Sequence, residues 1–94
     1  MDKELKIILE KMFLKEATTS IALLFSALEE KNFQIMSNIT HKLKGQVLLL
    51  SLEDLTLACY KLEHEIEFKN LIEIKEKLNN LQSEFNLFKS NVTQ

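Results

Sequence analysis

The chain contains no proline, no tryptophan, one glycine and one cysteine. Proline and glycine are the commonest punctuation of secondary structure, so a chain nearly without them is expected to be helices joined by short turns. The shortage of glycine also leaves no Gly-rich phosphate loop and no dinucleotide fingerprint, hence no visible means of binding ATP. Cys59, being alone, cannot form an internal disulfide, which fits a reducing compartment. No uncharged run is long enough to span a bilayer, and the amino terminus lacks the basic-then-apolar order of a signal peptide. Charge of one sign is not concentrated anywhere: 12 basic residues stand against 14 acidic ones, for a net charge of −2. Neither nucleic acid nor membrane is an expected partner, and a soluble cytoplasmic protein is the expected class.

What is present is ordinary globular composition, 46% apolar and 28% charged, in 94 residues. That length suits one domain spanning residues 1–94, because a second core would need roughly 50 residues of its own. Apolar residues recur at helical spacing almost throughout, and strand alternation is absent. Leu9, Phe13, Ala17, Leu24 and Leu28 form a stripe that is either one helix over about residues 4–30 or two helices broken near Thr18–Thr19. Asn32 is the expected N-cap of a second helix, about 33–50, which turns Met36, Ile39, Leu43, Val47 and Leu50 inward. Ser51 with Asp54 reads as a capping box opening a third helix, whose inner face is Leu55, Ala58, Cys59, Leu62 and Ile66. Asn70 with Glu73 repeats the signal before a last helix bearing Leu71, Ile74, Leu78, Leu81, Phe85, Phe88 and Val92. The expected fold is all-α, an up-and-down antiparallel four-helix bundle with an extended or extra N-terminal helix. The last stripe would also suit a coiled-coil dimer, but the bundle needs the same stripe to close itself, so a monomer is expected.

The single glycine lies in "HKLKG", residues 41–45, inside the second helix, where it costs on the order of 1 kcal/mol relative to alanine. At 100° per residue, His41 and Gly45 each lie about 160° from the inward Leu43, with Lys44 about 100° and Leu48 about 140° away. His41 and Gly45 are thus outward neighbours one turn apart, with Lys44 beside them. A lone helix histidine is most often a solvated surface residue. Here the neighbours argue for more. An exposed imidazole is a neutral nucleophile near pH 7, glycine removes the side chain that would crowd it, and lysine supplies the charge an incoming phosphoryl group needs. Helix packing, the bland reason for Gly45, predicts an inward position instead.

H-x-L-K-G followed in register by Leu55, Cys59, Leu62 and Glu63 closely resembles the histidine-containing phosphotransfer (HPt) domain. Residues 13–33, "FLKEATTSIALLFSALEEKNF", look like that family's preceding helix and aromatic-tipped turn, and the resemblance covers about residues 5–90. It implies a phosphocarrier in a two-component phosphorelay, with no ATP site and no independent turnover. His41 would take a phosphoryl group on Nε2 from the aspartate of one receiver domain and pass it to another. By the same resemblance, Lys44 steadies the phosphoryl oxygens, Gly45 gives the receiver room, and Glu63 accepts a hydrogen bond from Nδ1. The implied partners are response-regulator receivers and a hybrid sensor histidine kinase. Magnesium belongs to the receiver, and no cofactor or metal is expected of this chain. A non-phosphorylated helical adaptor that binds receivers is the alternative.

The sequence departs from the family pattern after Gly45, where small residues and a second glycine usually stand. Gln46, Val47, Leu48, Leu49 and Ser51 occupy those positions, and Leu48 shares the His41 face. "EFKN", residues 67–70, lacks the glycine often found between the last two helices. His64 is a weaker acceptor candidate, with neither Lys nor Gly at the matching offsets. A zinc site from His41, Cys59 and His64 would need ligands whose wheel positions diverge, and Cys59 reads as a small core residue. Tyr60, next to Cys59, is expected to border the groove near Glu63.

Overall fold

The computed structural model describes residues 2–93, which form four helices: α1 (Lys3–Glu29), α2 (Phe33–Leu49), α3 (Glu53–Phe68) and α4 (Leu71–Val92). Each helix packs on its neighbour in the chain, and α1 also packs on α4, which closes an antiparallel up-and-down bundle. The N-terminal feature left open by the sequence is an extension of α1, not an extra helix. Thr18 and Thr19 do not break it because both face outward and the Thr18 hydroxyl donates to the Leu14 carbonyl at 2.8 Å. A competing polar side chain is thereby satisfied without leaving the helix.

The expected stripes meet in one core, except that Leu71 and Val92, at the two ends of the last stripe, are only partly buried and lie outside it. Phe13, Ala17, Ile21 and Leu24 of α1 face Met36, Leu43 and Val47 of α2; Leu55, Ala58, Cys59, Leu62 and Ile66 come from α3; Ile74, Leu78, Leu81 and Phe85 come from α4. Leu9, Leu28, Ile39 and Phe88 pack against this core half-buried. The ends of the chain are joined by aromatic edges, with the Phe13 ring 6.3 Å from Phe85 and 5.7 Å from Phe88. Residues 3–8 precede the first core contact and are exposed throughout. Thr40 is fully buried although polar, and its hydroxyl has no hydrogen-bond partner. Among the described residues, no helix is long and apolar enough to cross a membrane.

The turns are where sequence and structure part. Asn32 and Asn70 do cap α2 and α4, accepting from the amides of Ile35 and Glu73. The expected Ser51–Asp54 capping box does not form: the residue at the N-cap of α3 is Leu52, which has no capping side chain. Ser51 takes a left-handed conformation, with φ of 57°, and serves the end of α2. Its amide reaches the Leu48 carbonyl at 3.1 Å and the Leu52 amide reaches Val47 at 3.0 Å, the paired bonds of a Schellman turn. Leu52 then packs against the core, so tertiary burial of an apolar side chain outcompetes a serine cap worth about 1 kcal/mol. Lys31 and Lys69 do the same work at the other two turns, both with φ of 55°.

Candidate functional site

The candidate residues lie where α2 and α3 run side by side. His41, on α2, leaves 77% of its side chain open to solvent, as an outward position requires. One turn on, Gly45 is exposed, and a Cβ built there would meet no atom within 4 Å. Its backbone is helical with negative φ, so neither helix packing nor backbone strain explains the glycine. The surface around His41 is open on that side.

Lys44 leans across to α3. Its Nζ donates to both carboxylate oxygens of Glu63, at 2.9 and 3.0 Å, and stands 5.0 Å from the centre of the Tyr60 ring. Only 17% of the lysine side chain is exposed, and Glu63 is one-third exposed. The hydrogen bond that Lys44 donates to Glu63 raises the lysine pKa above its ordinary value, partly offset by desolvation, so the ammonium is charged at neutral pH. Glu63 Oε2 also lies 3.9 Å from His41 Nδ1, beyond hydrogen-bond reach. The structure thus brings His41, Lys44, Gly45 and Glu63 together, but the close partner of Glu63 is the lysine and not the histidine.

That pairing was not read from the sequence, although a signal existed. Lys44 flanks the buried stripe of α2, and Glu63 follows the fully buried Leu62 of α3. Opposite charges on the two rims of one helix pair are placed to meet. Tyr60 does border the groove near Glu63, as expected. Beyond it, Leu48 and Leu57, each about half exposed, line an open depression with Ser51, Glu53, Thr56 and Tyr60.

The other candidates are placed apart. His64 is also exposed, but its Nδ1 lies 3.3 Å from Glu65 and its ring is 4.9 Å from Phe68. Lys61 stands one turn before it on α3, but the positions that would match Lys44 and Gly45 are Glu67 and Phe68. Cys59 is fully buried, and burial pushes its thiol up to about 12, which leaves it neutral and inert at physiological pH. Among the described residues no three His, Cys, Asp or Glu side chains are grouped to hold a metal ion.

Compared with known families, the chain matches the Hpt domain over residues 9–85, a span that includes every residue of this cluster. No curated protein and no solved structure matches it.

Proposed function

Since this chain belongs to the Hpt domain family, whose members carry phosphoryl groups on histidine in phosphorelays, we propose that His41 is its phosphoacceptor. In this reading the Nε2 lone pair of His41 attacks the phosphorus of a receiver's aspartyl phosphate. The N–P bond forms, the P–O bond breaks, and the aspartate leaves as a carboxylate. The reverse step delivers the group to a second receiver. The chain is a substrate and carrier in both directions, while the receiver supplies magnesium and most of the charge stabilisation. Receivers, and a hybrid kinase bearing one, are the proposed partners.

The observation that carries this reading is the open face around His41. A nucleophile must be reached by an aspartyl phosphate recessed in another protein, and Gly45, one turn from His41, places no side chain of its own on the approach and leaves open space where a Cβ would stand. The Lys44 ammonium stands one turn away to meet the phosphoryl oxygens. Leu48 and Leu57 extend the face as apolar ground on which a receiver can settle.

Incubation with a phosphorylated receiver should transfer label to the chain in acid-labile, base-stable form, as a phosphoramidate bond requires. His41→Gln should abolish that label and leave helicity and melting temperature nearly unchanged, because an exposed side chain carries little packing energy. Label that persists in this variant, or moves to His64, overturns the assignment. Receivers that bind without any transfer of label would make the chain an adaptor.

A further inference from the structure

We infer that Glu63 and Tyr60 are positioning residues for Lys44, and that Glu63 influences phosphorylation through the lysine, not by holding the His41 ring. The inference rests on the reading of His41 as phosphoacceptor, but its geometry stands by itself. A carboxylate next to a histidine invites the assumption that it fixes the Nδ1 proton and frees Nε2 to attack. Here the distances separate the two possibilities. Glu63 takes Lys44 Nζ with both oxygens at 2.9 and 3.0 Å, whereas its nearer approach to His41 Nδ1 is 3.9 Å.

An ammonium has three N–H donors. Two are committed to Glu63, and the face of Tyr60 stands 5.0 Å away. The arrangement restrains a side chain that would otherwise sample many rotamers, and it leaves one donor for an incoming phosphoryl oxygen. Lys44 is largely covered, so this restraint acts where solvent screening is reduced. His41, in contrast, is open on most sides and is held by nothing at hydrogen-bond distance. No protein group at hydrogen-bond distance fixes which ring nitrogen carries the proton. Phosphorylation is then limited by how well Lys44 is placed, and Glu63 and Tyr60 set that placement.

Two measurements on the full chain test this. The first needs no phosphoryl transfer: the ring nitrogens of His41, read by NMR in wild type and in Glu63→Gln. The expected result is the same tautomer ratio in both. A shift away from the Nδ1–H tautomer in the variant overturns the inference, because it means that Glu63 holds the ring. The second uses phosphoramidate as the donor, whose P–N bond breaks as the Nε2–P bond forms and ammonia leaves. Glu63→Ala should slow labelling about tenfold in the wild-type background and by less than about twofold once Lys44 is alanine, the non-additivity of residues acting as a unit. Tyr60→Ala should slow it less, with Tyr60→Phe restoring the rate, since the ring face and not the hydroxyl meets Lys44. Equal effects of Glu63→Ala in both backgrounds overturn the inference. Absence of label at His41 under all conditions would sink the phosphocarrier reading, while the tautomer measurement would still decide which residue Glu63 holds.

Discussion

At the scale of single residues, Gly45 is the position whose cost most needs a reason. It gives up on the order of 1 kcal/mol of helix stability, yet a methyl group there would touch nothing within 4 Å. Gly45→Ala should therefore raise stability by up to about 1 kcal/mol in urea unfolding and leave the fold intact. Gly45→Leu places a branched side chain one turn from His41 and should block labelling by a phosphorylated receiver. Labelling by phosphoramidate should survive, because so small a donor passes beside the leucine. Loss of both labels would mean that the leucine disturbs His41 itself; loss of neither would mean that the open face is not the approach route. An unfolded Gly45→Ala protein would contradict the free space seen around the residue. Thr40 is the opposite kind of position, a buried hydroxyl without a partner directly before the histidine.

The helices show how much of the molecule was legible from apolar spacing and where that reading ran out. Every residue expected on the inner face of α3 is buried, and Asn32 and Asn70 cap where their side chains predicted. Periodicity reports burial directly, so it survives in the folded chain. α1 is continuous because its buried stripe of Phe13, Ala17, Ile21 and Leu24 runs past Thr18 and Thr19, two residues whose local preferences suit a helix or a turn. Ser51 was misread because a serine three residues before an acidic side chain suits two different roles, and the burial of Leu52 decided between them. The site divides the same way: outward placement of His41 and Gly45 followed from the wheel, while the Lys44–Glu63 pair, 19 residues apart, depended on side-chain reach. The turns carry a prediction of their own. Lys31 and Ser51 hold left-handed backbone that costs a side-chain-bearing residue about 1–2 kcal/mol. Lys31→Gly and Ser51→Gly should each stabilise the chain by roughly 0.5–1 kcal/mol, after allowing for the greater freedom of glycine in the unfolded state. Lys69→Gly should gain less, since it also removes an ammonium 5.8 Å from the Phe33 ring. Unchanged urea midpoints in the first two variants would show that the strain is relieved locally.

Across the whole molecule, the four helices form a closed ring in which the α1–α4 seam stands opposite the α2–α3 pair that bears the site. The seam joins the two ends of the chain, so it is the contact with the greatest loop-closure cost, and it leans on Phe13 against Phe85 and Phe88. The family match begins at residue 9, the same residue at which α1 first meets the core, so the helix before it adds little to this closure. The division of labour has a measurable consequence. Phe13 is 4% exposed, and Phe13→Ala should cost about 3–5 kcal/mol, a large share of the roughly 5–15 kcal/mol that holds a domain of this kind together. The phosphoramidate labelling rate of His41 should nevertheless stay within about twofold of wild type at a temperature where both proteins are folded, because distant sites without shared partners act nearly independently. Phe13→Leu, which keeps most of the buried volume, should lower stability less and serves if the alanine variant is unfolded at the assay temperature. A labelling rate that falls in step with stability among folded variants would mean that the α2–α3 face is held in shape by the opposite seam. The site would then be a property of the closed ring and not of one helix pair.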